Sequence, residues 1–279
     1  MDELIFTEEE ETLAHRKYER LKAILQATGG IAVAFSGGVD STLLLYAAWQ
    51  ALGDRALAVT VSSGTFPRRE IAEAEDFCHL HGIRQRICPF EELSVPGFEE
   101  NPKERCYICK KDLFGRIRRI AAENGLNFVA EGSNMDDNRD YRPGMRAIAE
   151  LGIRSPLREV ELSKREIRYL SREHALPSWD KPSYACLATR IPYGERITKE
   201  KLLQIERSEQ LLIDKGFRQV RVRLHGNIAR IEIPPEDFGK LVSDSVRTSI
   251  VTELKEIGFD YVTLDLMGYR TGSMNINVF

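Results

Sequence analysis

The sequence predicts an α/β protein, in which a doubly wound parallel sheet is followed by a smaller C-terminal α+β domain. Three observations lead to this fold class. Short apolar runs alternate with segments of helical period between residues 31 and 176. A glycine-rich turn over residues 36–41 joins the first apolar run to a helical segment. Beyond residue 192 the order becomes helix, two strands, helix and strand, which is typical of α+β domains.

The first domain, predicted over residues 1–192, contains four apolar runs that are separated by helical segments. The runs predict strands at residues 31–35, 56–61, 84–90 and 127–130. Helices are predicted at residues 41–51, 67–81, 103–124 and, from a capping box, 163–176. Because strands that are separated by helices form parallel sheets, we expect helices to cover both faces of this sheet.

The second domain, predicted over residues 193–279, begins with a long amphipathic helix. Its segments are a helix at 199–215, strands at 219–224 and 228–233, a helix at 244–257 and a strand at 261–266. This change in the order of helices and strands places the predicted domain boundary between residues 192 and 193. No internal repeat and no low-complexity segment interrupts either domain.

The composition is that of an ordinary globular protein. Forty lysine and arginine residues face 43 acidic residues, so the formal net charge is −3, and 42% of the residues are hydrophobic. This balance argues against a dedicated nucleic-acid-binding protein. The longest apolar run, residues 43–49, is too short to cross a membrane, and the first residues are acidic where a signal peptide would be basic. We therefore expect a soluble, cytoplasmic protein.

The five cysteines do not have the pattern of a disulfide framework. They are odd in number and unevenly spaced, at positions 78, 88, 106, 109 and 186. Such a set fits a reducing compartment. We expect Cys78 and Cys88 to be small buried side chains of the core.

Three cysteines are candidates for metal or sulfur chemistry. Cys106 and Cys109 form a C-x-x-C pair at a predicted helix start, and Cys186 lies close to the predicted domain boundary. Three thiolates are one ligand short of a tetrahedral zinc site, but they can hold a [4Fe-4S] cluster with one open iron. Buried, inert thiols are the alternative. Lys110 and Lys111 follow directly and could lower a thiolate pKa or bind phosphate.

The glycine-rich turn is the clearest chemical signal, and it consists of Ser36, Gly37, Gly38, Val39, Asp40 and Ser41. The two glycines allow a tight turn in which backbone N–H groups approach an anion. The two serines add hydroxyl groups, and the following helix directs its positive end at the same place. The turn lacks the Lys-Ser/Thr ending of a Walker loop, so we expect a different phosphate-binding loop. A strand–helix turn without a ligand is the alternative.

A basic segment stands out in the second domain. Between Arg218 and Arg230 there are four arginines, one histidine and no acidic residue. Arg221 and Arg223 alternate on one face of a predicted strand, so both could bind one phosphate. A solvated strand face is the alternative.

A polar loop with several carboxylates follows the fourth predicted strand of the first domain. Asp136, Asp137 and Asp140 lie in it. These side chains either bind Mg²⁺ or face water.

The glycine-rich turn resembles the PP-loop of the ATP pyrophosphatases. This resemblance implies that ATP is cleaved between its α and β phosphates, that AMP is transferred to an acyl or carbonyl oxygen, and that pyrophosphate is released. It further implies that Asp40 lies beside the phosphates and helps to hold Mg²⁺. Ser63 and Gly132, which follow the second and fourth predicted strands, would contact the nucleotide.

Taken together, the motifs resemble those of the LarE family, the ATP-dependent sulfur transferases that mature the nickel-pincer nucleotide cofactor of lactate racemase. The resemblance covers most of the chain. It includes residues 36–41, 140–144, Cys186 with 190–194, 221–223 and 261–275. It implies that the substrate is a pyridinium mononucleotide with two ring carboxylates. ATP would adenylate a carboxylate, and a sulfur nucleophile would displace AMP to form a thiocarboxylate.

The same resemblance implies roles for individual residues. In one branch of the family, the cysteine that matches Cys186 donates its own sulfur and becomes dehydroalanine. In the other branch, three cysteines hold an iron–sulfur cluster, and the presence of Cys106 and Cys109 favours this branch. The implied catalytic residues are Cys186 and Asp40. The implied substrate-binding residues are Lys110, Lys111, Arg190, Glu209, Arg221, Arg223 and Glu232.

The resemblance also implies a homo-oligomer, in particular a hexamer, and partner proteins that supply sulfur or belong to the cofactor pathway. Three other functions stay open from the sequence. PP-loop enzymes with three cysteines also thiolate tRNA, although a net charge of −3 offers little for RNA binding. Amide-forming ATP pyrophosphatases need the loop and no cysteine. A nucleotide-sensing protein without catalytic activity is the third.

Overall fold

The computed structural model describes residues 5–139, 143–182 and 185–274. The chain forms two compact units. The first comprises Met1–Ser63, Arg68–Phe90 and Cys106–Ser183, and the second comprises Gly64–Pro67, Glu91–Arg105 and Tyr184–Phe279. The expected single division between residues 192 and 193 stays a prediction. No helix among the described residues is both long and apolar enough to span a bilayer.

The first unit is built from four strands and seven helices of the described chain. The strands are β1 (Ile31–Ala34), β2 (Ala56–Ser62), β3 (Arg84–Pro89) and β4 (Phe128–Ala130). The helices are α1 (Glu8–Gln26), α2 (Val39–Leu52), α3 (Arg68–His81), α4 (Arg105–Glu123), α5 (Gly144–Glu150), α6 (Pro156–Glu159) and α7 (Lys164–Glu173). All four predicted strands are confirmed, as are the predicted helices α2, α3, α4 and α7.

The sheet of the first unit is parallel, with the strand order β3-β2-β1-β4. Ile31 of β1 is paired with Ala56 of β2 on one side and with Phe128 of β4 on the other. The chain therefore builds outward from β1 to β3 and then crosses to the opposite side of β1. Ligands of doubly wound sheets bind at such a switch point, beyond the carboxyl ends of the strands. The predicted α/β fold class is confirmed.

Helix α1 was not predicted. The acidic residues 8–11 argue against a signal peptide, and they form the first helical turn. Thr7 accepts a hydrogen bond from the Glu10 backbone, and the Glu10 side chain accepts one from the Thr7 backbone, which completes a capping box. Acidic side chains near a helix N-terminus are favourable. The apolar face of α1 is buried in the core with Tyr18, Leu21 and Leu25.

The core of the first unit explains why the sequence alternates as it does. Most residues of β1 and β2 are buried, as are the apolar residues of the first two turns of α2 and Ala47 and Ala48. Cys78 and Cys88 are also buried, as predicted. Burial raises the pKa of the Cys78 thiol to about 12, so this thiol stays protonated and unreactive.

The second unit has a small mixed sheet. Its elements are α8 (Lys199–Asp214), β5 (Arg221–His225), β6 (Ile228–Glu232), α9 (Phe238–Val242), α10 (Asp244–Ile257) and β7 (Tyr261–Leu264). Strand β6 is central, antiparallel to β5 and parallel to β7. The predicted α+β order is confirmed, and α9 is an additional short helix that was not predicted.

Candidate functional site

The glycine-rich turn of residues 36–41 joins β1 to α2 in the first unit. Gly37 has a left-handed backbone, with φ of 70°, and Gly38 caps the helix with φ of −77°. The Ser41 hydroxyl donates to the Gly38 carbonyl at 3.1 Å, and the Ser36 backbone donates to the Ser41 hydroxyl at 3.3 Å. Val39 is buried as the first helical residue. Hydrogen bonds between its own residues therefore stabilise the turn, which leads directly into the N-terminus of α2.

Gly132 brings a second loop against this turn. It follows β4, and a Cβ atom at this position would lie only 3.0 Å from the Ser41 backbone nitrogen and 3.3 Å from the Asp40 Cβ. No other residue fits without moving the backbone. Ser63 follows the end of β2, the other neighbour of β1. The predicted nucleotide-binding residues of this unit therefore follow the carboxyl ends of neighbouring strands, with the turn and Gly132 at the switch point between β1 and β4.

Asp40 is held by two side chains that the sequence analysis did not connect with it. The Asn134 amide donates to Asp40 Oδ1 at 3.1 Å, and the Lys164 ammonium lies 2.5 Å from Asp40 Oδ2. Asp136 and Asp137 accept hydrogen bonds from the backbone nitrogens of Lys164 and Asn134. These two carboxylates therefore shape the loop after β4.

The remaining part of the polar loop lies outside the described residues. This concerns Asp140, Tyr141 and Arg142, and with them the predicted Mg²⁺ role of Asp140.

A second lysine contacts the turn at Gly37. The Lys181 ammonium donates to the Gly37 carbonyl at 3.2 Å and lies 2.5 Å from Glu73 of α3. Neither Lys164 nor Lys181 was among the predicted site residues. The capping box at residues 163–166 was recognised in the sequence, and it places Lys164 at the first helical position. Its partner Asp40 is 124 residues away, which no local pattern shows.

Cys106 and Cys109 lie in the first turn of α4, three residues apart and both half-buried. This spacing places both thiols on one side of the helix, where they can ligate the same metal or cluster. Cys186 belongs to the second unit and is also half-buried. In neither unit do the described residues gather three or more histidine, cysteine or acidic side chains closely enough to hold a metal ion.

Lys110 and Lys111 have different surroundings. The side chain of Lys110 packs over Gly144, where an added Cβ would lie 2.6 Å from Lys110 Cδ. Lys111 donates to the Tyr107 hydroxyl at 2.8 Å and lies 3.3 Å from Glu150. The hydrogen bond to Tyr107, followed by the one to Glu150, raises the pKa of Lys111. Lys111 is thus part of a surface network between α4 and α5.

In the second unit, Arg190 and Glu209 form a buried bidentate ion pair. Arg190 Nε and Glu209 Oε1 are 2.9 Å apart, and the second pair of atoms is 2.8 Å apart. Arg190 also donates to the backbone carbonyls of Ala185 and Cys186. Burial, the largest single influence, raises the pKa of Glu209. The charge and hydrogen bonds of Arg190, the charge of Arg221 and the Val222 backbone N–H together outweigh burial, so the pKa is lowered. The pair fixes the backbone beside Cys186.

A second buried network surrounds Glu232. Arg223 donates to Glu232 Oε2 from Nε at 3.0 Å and from a terminal nitrogen at 2.8 Å. The Ser273 hydroxyl donates to Glu232 Oε1 at 2.9 Å and accepts from Arg223. Arg230 lies 3.1 Å from Glu232 Oε1. Glu209 and Glu232, predicted to be substrate-binding, each hold an arginine of the predicted set in place.

Arg221 lies in the same part of the unit, on the strand that also carries Arg223. It is 2% exposed and Arg223 is 5% exposed, so these side chains do not form the solvated strand face considered above. Burial and the nearby Arg190 lower the pKa of Arg221 to about 10. We call Arg190, Arg221, Arg223, Arg230, Glu209 and Glu232 the arginine cluster. Asp265 lies 3.7 Å from Arg230, so the four guanidinium groups of the cluster face three carboxylates. The remaining positive charge favours the binding of an anion.

Asn101 supports the segment that follows Cys186, and the sequence analysis missed it. Its amide donates to the carbonyls of Ile191, Pro192 and Glu195, and Arg105 donates to its side-chain oxygen. Asn101 is completely buried and has a φ of 55°, which asparagine tolerates better than most residues. A single side chain thus ties down residues 191–195.

The chain is similar in sequence to several known proteins. No family model matches the chain. The chain is 38% identical to the pyridinium-3,5-bisthiocarboxylic acid mononucleotide synthase of Lactiplantibacillus plantarum, over 95% of each chain. It is 42% identical to an uncharacterized protein of Synechocystis, over 93% of this chain and 97% of that one. An argininosuccinate synthase of Haloarcula marismortui is 26% identical over 54% of this chain and 39% of its own.

Proposed function

Because the chain belongs to the LarE family of PP-loop enzymes, we propose that it is an ATP-dependent sulfur transferase of nickel-pincer cofactor synthesis. Its substrate in this proposal is pyridinium-3,5-biscarboxylic acid mononucleotide, whose carboxylates become thiocarboxylates. The observation that carries the proposal is the 38% identity to the synthase, which extends over 95% of both chains.

The first unit supplies the ATP site. The turn at residues 36–41 binds the phosphates with its backbone N–H groups and with the N-terminus of α2. Gly132 and Ser63 border the nucleotide from the neighbouring strand ends. Asp40 offers the carboxylate oxygens that Mg²⁺ prefers, and Mg²⁺ enters with ATP. The close approach of Gly132 to Ser41 supports this assignment, because it joins the two predicted nucleotide-contacting loops.

The second unit supplies the groups that bind the mononucleotide. Arg221 and Arg223 bind its phosphate, while Arg190 fixes the backbone near Cys186 and contributes positive charge. Glu209 and Glu232 orient the arginines rather than contact the substrate. Lys110 and Lys111, the other residues predicted to bind the substrate, belong to the first unit. The excess of guanidinium groups over carboxylates in the arginine cluster supports binding of a phosphate and two carboxylates.

The reaction proceeds through an acyl-adenylate. A carboxylate oxygen of the substrate attacks the α phosphorus of ATP, and pyrophosphate leaves with the electron pair of the broken P–O bond. A sulfur nucleophile then attacks the activated carbonyl carbon, and AMP leaves with the electrons of the C–O bond. A free carboxylate is a poor electrophile, so this activation is what makes sulfur transfer feasible.

We consider two sulfur sources. Cys106 and Cys109, on one side of α4, would hold a [4Fe-4S] cluster together with Cys186, and a bound cluster would present sulfide at its open iron. Alternatively, the Cys186 thiolate attacks the acyl-adenylate itself. Loss of the Cys186 Cα proton and cleavage of its Cβ–S bond then release the thiocarboxylate and leave dehydroalanine. The paired Cys106 and Cys109 favour the cluster.

The protein works in the cytoplasm, without nucleic acid, as a homo-oligomer that we propose to be a hexamer. Partner proteins deliver the mononucleotide and resupply sulfur. Light scattering on the purified protein tests the oligomeric state directly.

The function is tested with protein purified without oxygen, MgATP and the mononucleotide, with and without added sodium sulfide as the sulfur source. We expect thiocarboxylate by mass spectrometry, together with AMP and pyrophosphate. An amide product with ammonia, or activity on tRNA only, would contradict the proposal. Iron and acid-labile sulfide, measured in the wild type and in Cys106→Ala, separate the two sulfur sources. A cluster lost in the variant identifies the first, and an iron-free active protein that loses one sulfur identifies Cys186.

A further inference from the structure

The phosphate-binding turn contains no lysine, although phosphate-binding loops commonly use one to neutralise the β and γ phosphates. In the folded first unit, two lysines from one later stretch of the chain reach this turn. Lys164 contacts Asp40, and Lys181 contacts the Gly37 carbonyl. They approach different residues of the same turn.

The position of Lys164 is fixed by its backbone. Ser163 caps α7, and the Glu166 side chain accepts hydrogen bonds from the Ser163 backbone and hydroxyl. Lys17 in turn lies 2.7 Å from Glu166. The Lys164 backbone nitrogen donates to Asp136 Oδ2 at 2.6 Å. With the backbone held in this way, the side chain alone can change partners.

Lys181 is held in a similar manner. Arg168 donates to the backbone carbonyls of Trp179 and Lys181, at 2.7 and 2.8 Å. The Lys181 side chain is only 13% exposed, and Glu73 accompanies its ammonium group. A partly buried ammonium beside a phosphate-binding turn loses little further solvation when an anion arrives.

We propose that Lys164 and Lys181 are the cationic residues that bind the β and γ phosphates of ATP and stabilise the leaving pyrophosphate. This inference rests on the proposed function, since it assigns residues to its adenylation step. When MgATP binds, the Asp40 carboxylate would hold its Mg²⁺, which would free the Lys164 ammonium to turn from Asp40 to a phosphate oxygen. Lys181 exchanges its contact with Gly37 in the same way.

The proposed role agrees with the balance of charge in the reaction. As the bond between the α phosphorus and the bridging oxygen breaks, its electron pair passes to pyrophosphate, and negative charge grows on that oxygen. Two ammonium groups at this end of the nucleotide stabilise that charge more strongly in the transition state than in bound ATP. No proton transfer is needed. AMP lacks the phosphates that the lysines contact.

The test compares affinities for ATP, pyrophosphate and AMP by calorimetry, without mononucleotide or sulfur source. We expect Lys164→Ala and Lys181→Ala each to weaken ATP and pyrophosphate binding about 10- to 100-fold, which is the range for losing one charged hydrogen bond. Affinity for AMP should stay within about twofold. Lys164→Arg should restore much of the ATP affinity because it keeps the charge. Lys22→Ala is the matched control, since Lys22 pairs with Glu19 on α1.

Two results would overturn the inference. Unchanged affinity for ATP in both variants would show that the lysines do not contact its phosphates. Equal losses for ATP and AMP would show that the lysines only support the shape of the turn, and Lys164→Gln would check this with a smaller change. Failure of the proposed function looks different: the wild type would form no thiocarboxylate, yet the selective loss of ATP affinity would persist.

Discussion

The phosphate-binding turn and the arginine cluster differ in the hydrogen bonds that shape them from within. The bonds inside the turn are local in sequence, although its outer contacts with Asn134, Lys164 and Lys181 span 94, 124 and 144 residues. Within the turn, Ser36, Gly38 and Ser41 bond to one another across at most five residues. In the arginine cluster, Arg190 and Glu209 are 19 residues apart, and Arg223 and Ser273 are 50 apart. A local pattern can therefore reveal the turn, whereas only the folded chain reveals which charges of the cluster compensate each other.

The two regions also differ in the interactions that stabilise them. The turn depends on backbone geometry and on the absence of side chains at Gly37 and Gly132. The arginine cluster depends on buried ions, each of which is costly when its partner is removed. Changes in the turn should therefore affect activity before stability, and changes in the cluster should affect stability first.

The largest effect is expected from Glu209→Ala, which leaves Arg190 buried without its bidentate partner. We expect the second unit to lose about 3–5 kcal/mol of stability, the usual result of breaking a buried ion pair. Amide hydrogen exchange in β5 and β6 measures this loss. Glu99→Ala, which breaks the exposed pair with Arg196, should cost at most about 1 kcal/mol. Equal effects of the two variants would contradict the contrast.

The next largest effect is expected from Gly132→Ala. Its Cβ would meet the Ser41 backbone at 3.0 Å, so the two loops must separate. A misplacement of about 1 Å costs about 100-fold in turnover, so we expect this smaller displacement to lower the rate of AMP formation about 10-fold. Gly115→Ala is the matched control, because no atom lies within 4 Å of that Cβ position in α4. It should leave the rate unchanged and stabilise the helix by about 0.5–1 kcal/mol.

Removing a helix cap in each unit gives a smaller effect. Ser163→Ala and Thr198→Ala each remove the hydroxyl that caps α7 or α8, at a cost of about 1 kcal/mol. The two variants should differ in ATP affinity, which we expect to fall only for Ser163→Ala because Lys164 follows directly. Tryptophan fluorescence during unfolding reports the first unit, which contains Trp49 and Trp179. Equal ATP affinities of the two variants would show that the Ser163 cap does not influence the phosphate site.

The smallest effect concerns pH. Burial lowers the pKa of His81 and His174 in the first unit. Below the unfolded pKa of about 6.5, the unfolded chain therefore binds more protons than the folded chain, and stability falls as the pH falls through this value. We expect urea midpoints followed by tryptophan fluorescence to decrease on acidification, and His174→Gln to flatten that decrease. A midpoint that rises on acidification would contradict the stated direction.

Much of the fold could be predicted from the sequence, because the alternation of apolar runs and helical segments is local. Helix α1 was missed because residues 8–11 were considered only for their charge. The phosphate-binding turn could also be predicted, because its six residues are consecutive in the sequence. The contact of Lys164 with Asp40 and the clamp of Asn101 on residues 191–195 could not, since each joins segments that only the tertiary fold brings together.

Most members of the arginine cluster could be predicted from the sequence, but their pairing could not. Arg190, Arg221, Arg223, Glu209 and Glu232 were named from the sequence, but as one set of substrate-binding residues. In the structure, Glu209 is paired with Arg190 and Glu232 with Arg223. The two glutamates therefore orient arginines, and the arginines are left to bind the substrate. Pairing of this kind depends on burial, which residue type alone does not determine.

The central claim is that ATP activates a substrate carboxylate as an acyl-adenylate. It is tested most directly with mononucleotide whose carboxylates carry oxygen-18, by mass spectrometry of the released nucleotide. The account predicts one labelled oxygen in AMP for each thiocarboxylate formed, because the carboxylate oxygen bonded to the α phosphorus leaves with AMP. Unlabelled AMP, or ADP with the label in inorganic phosphate, would contradict it.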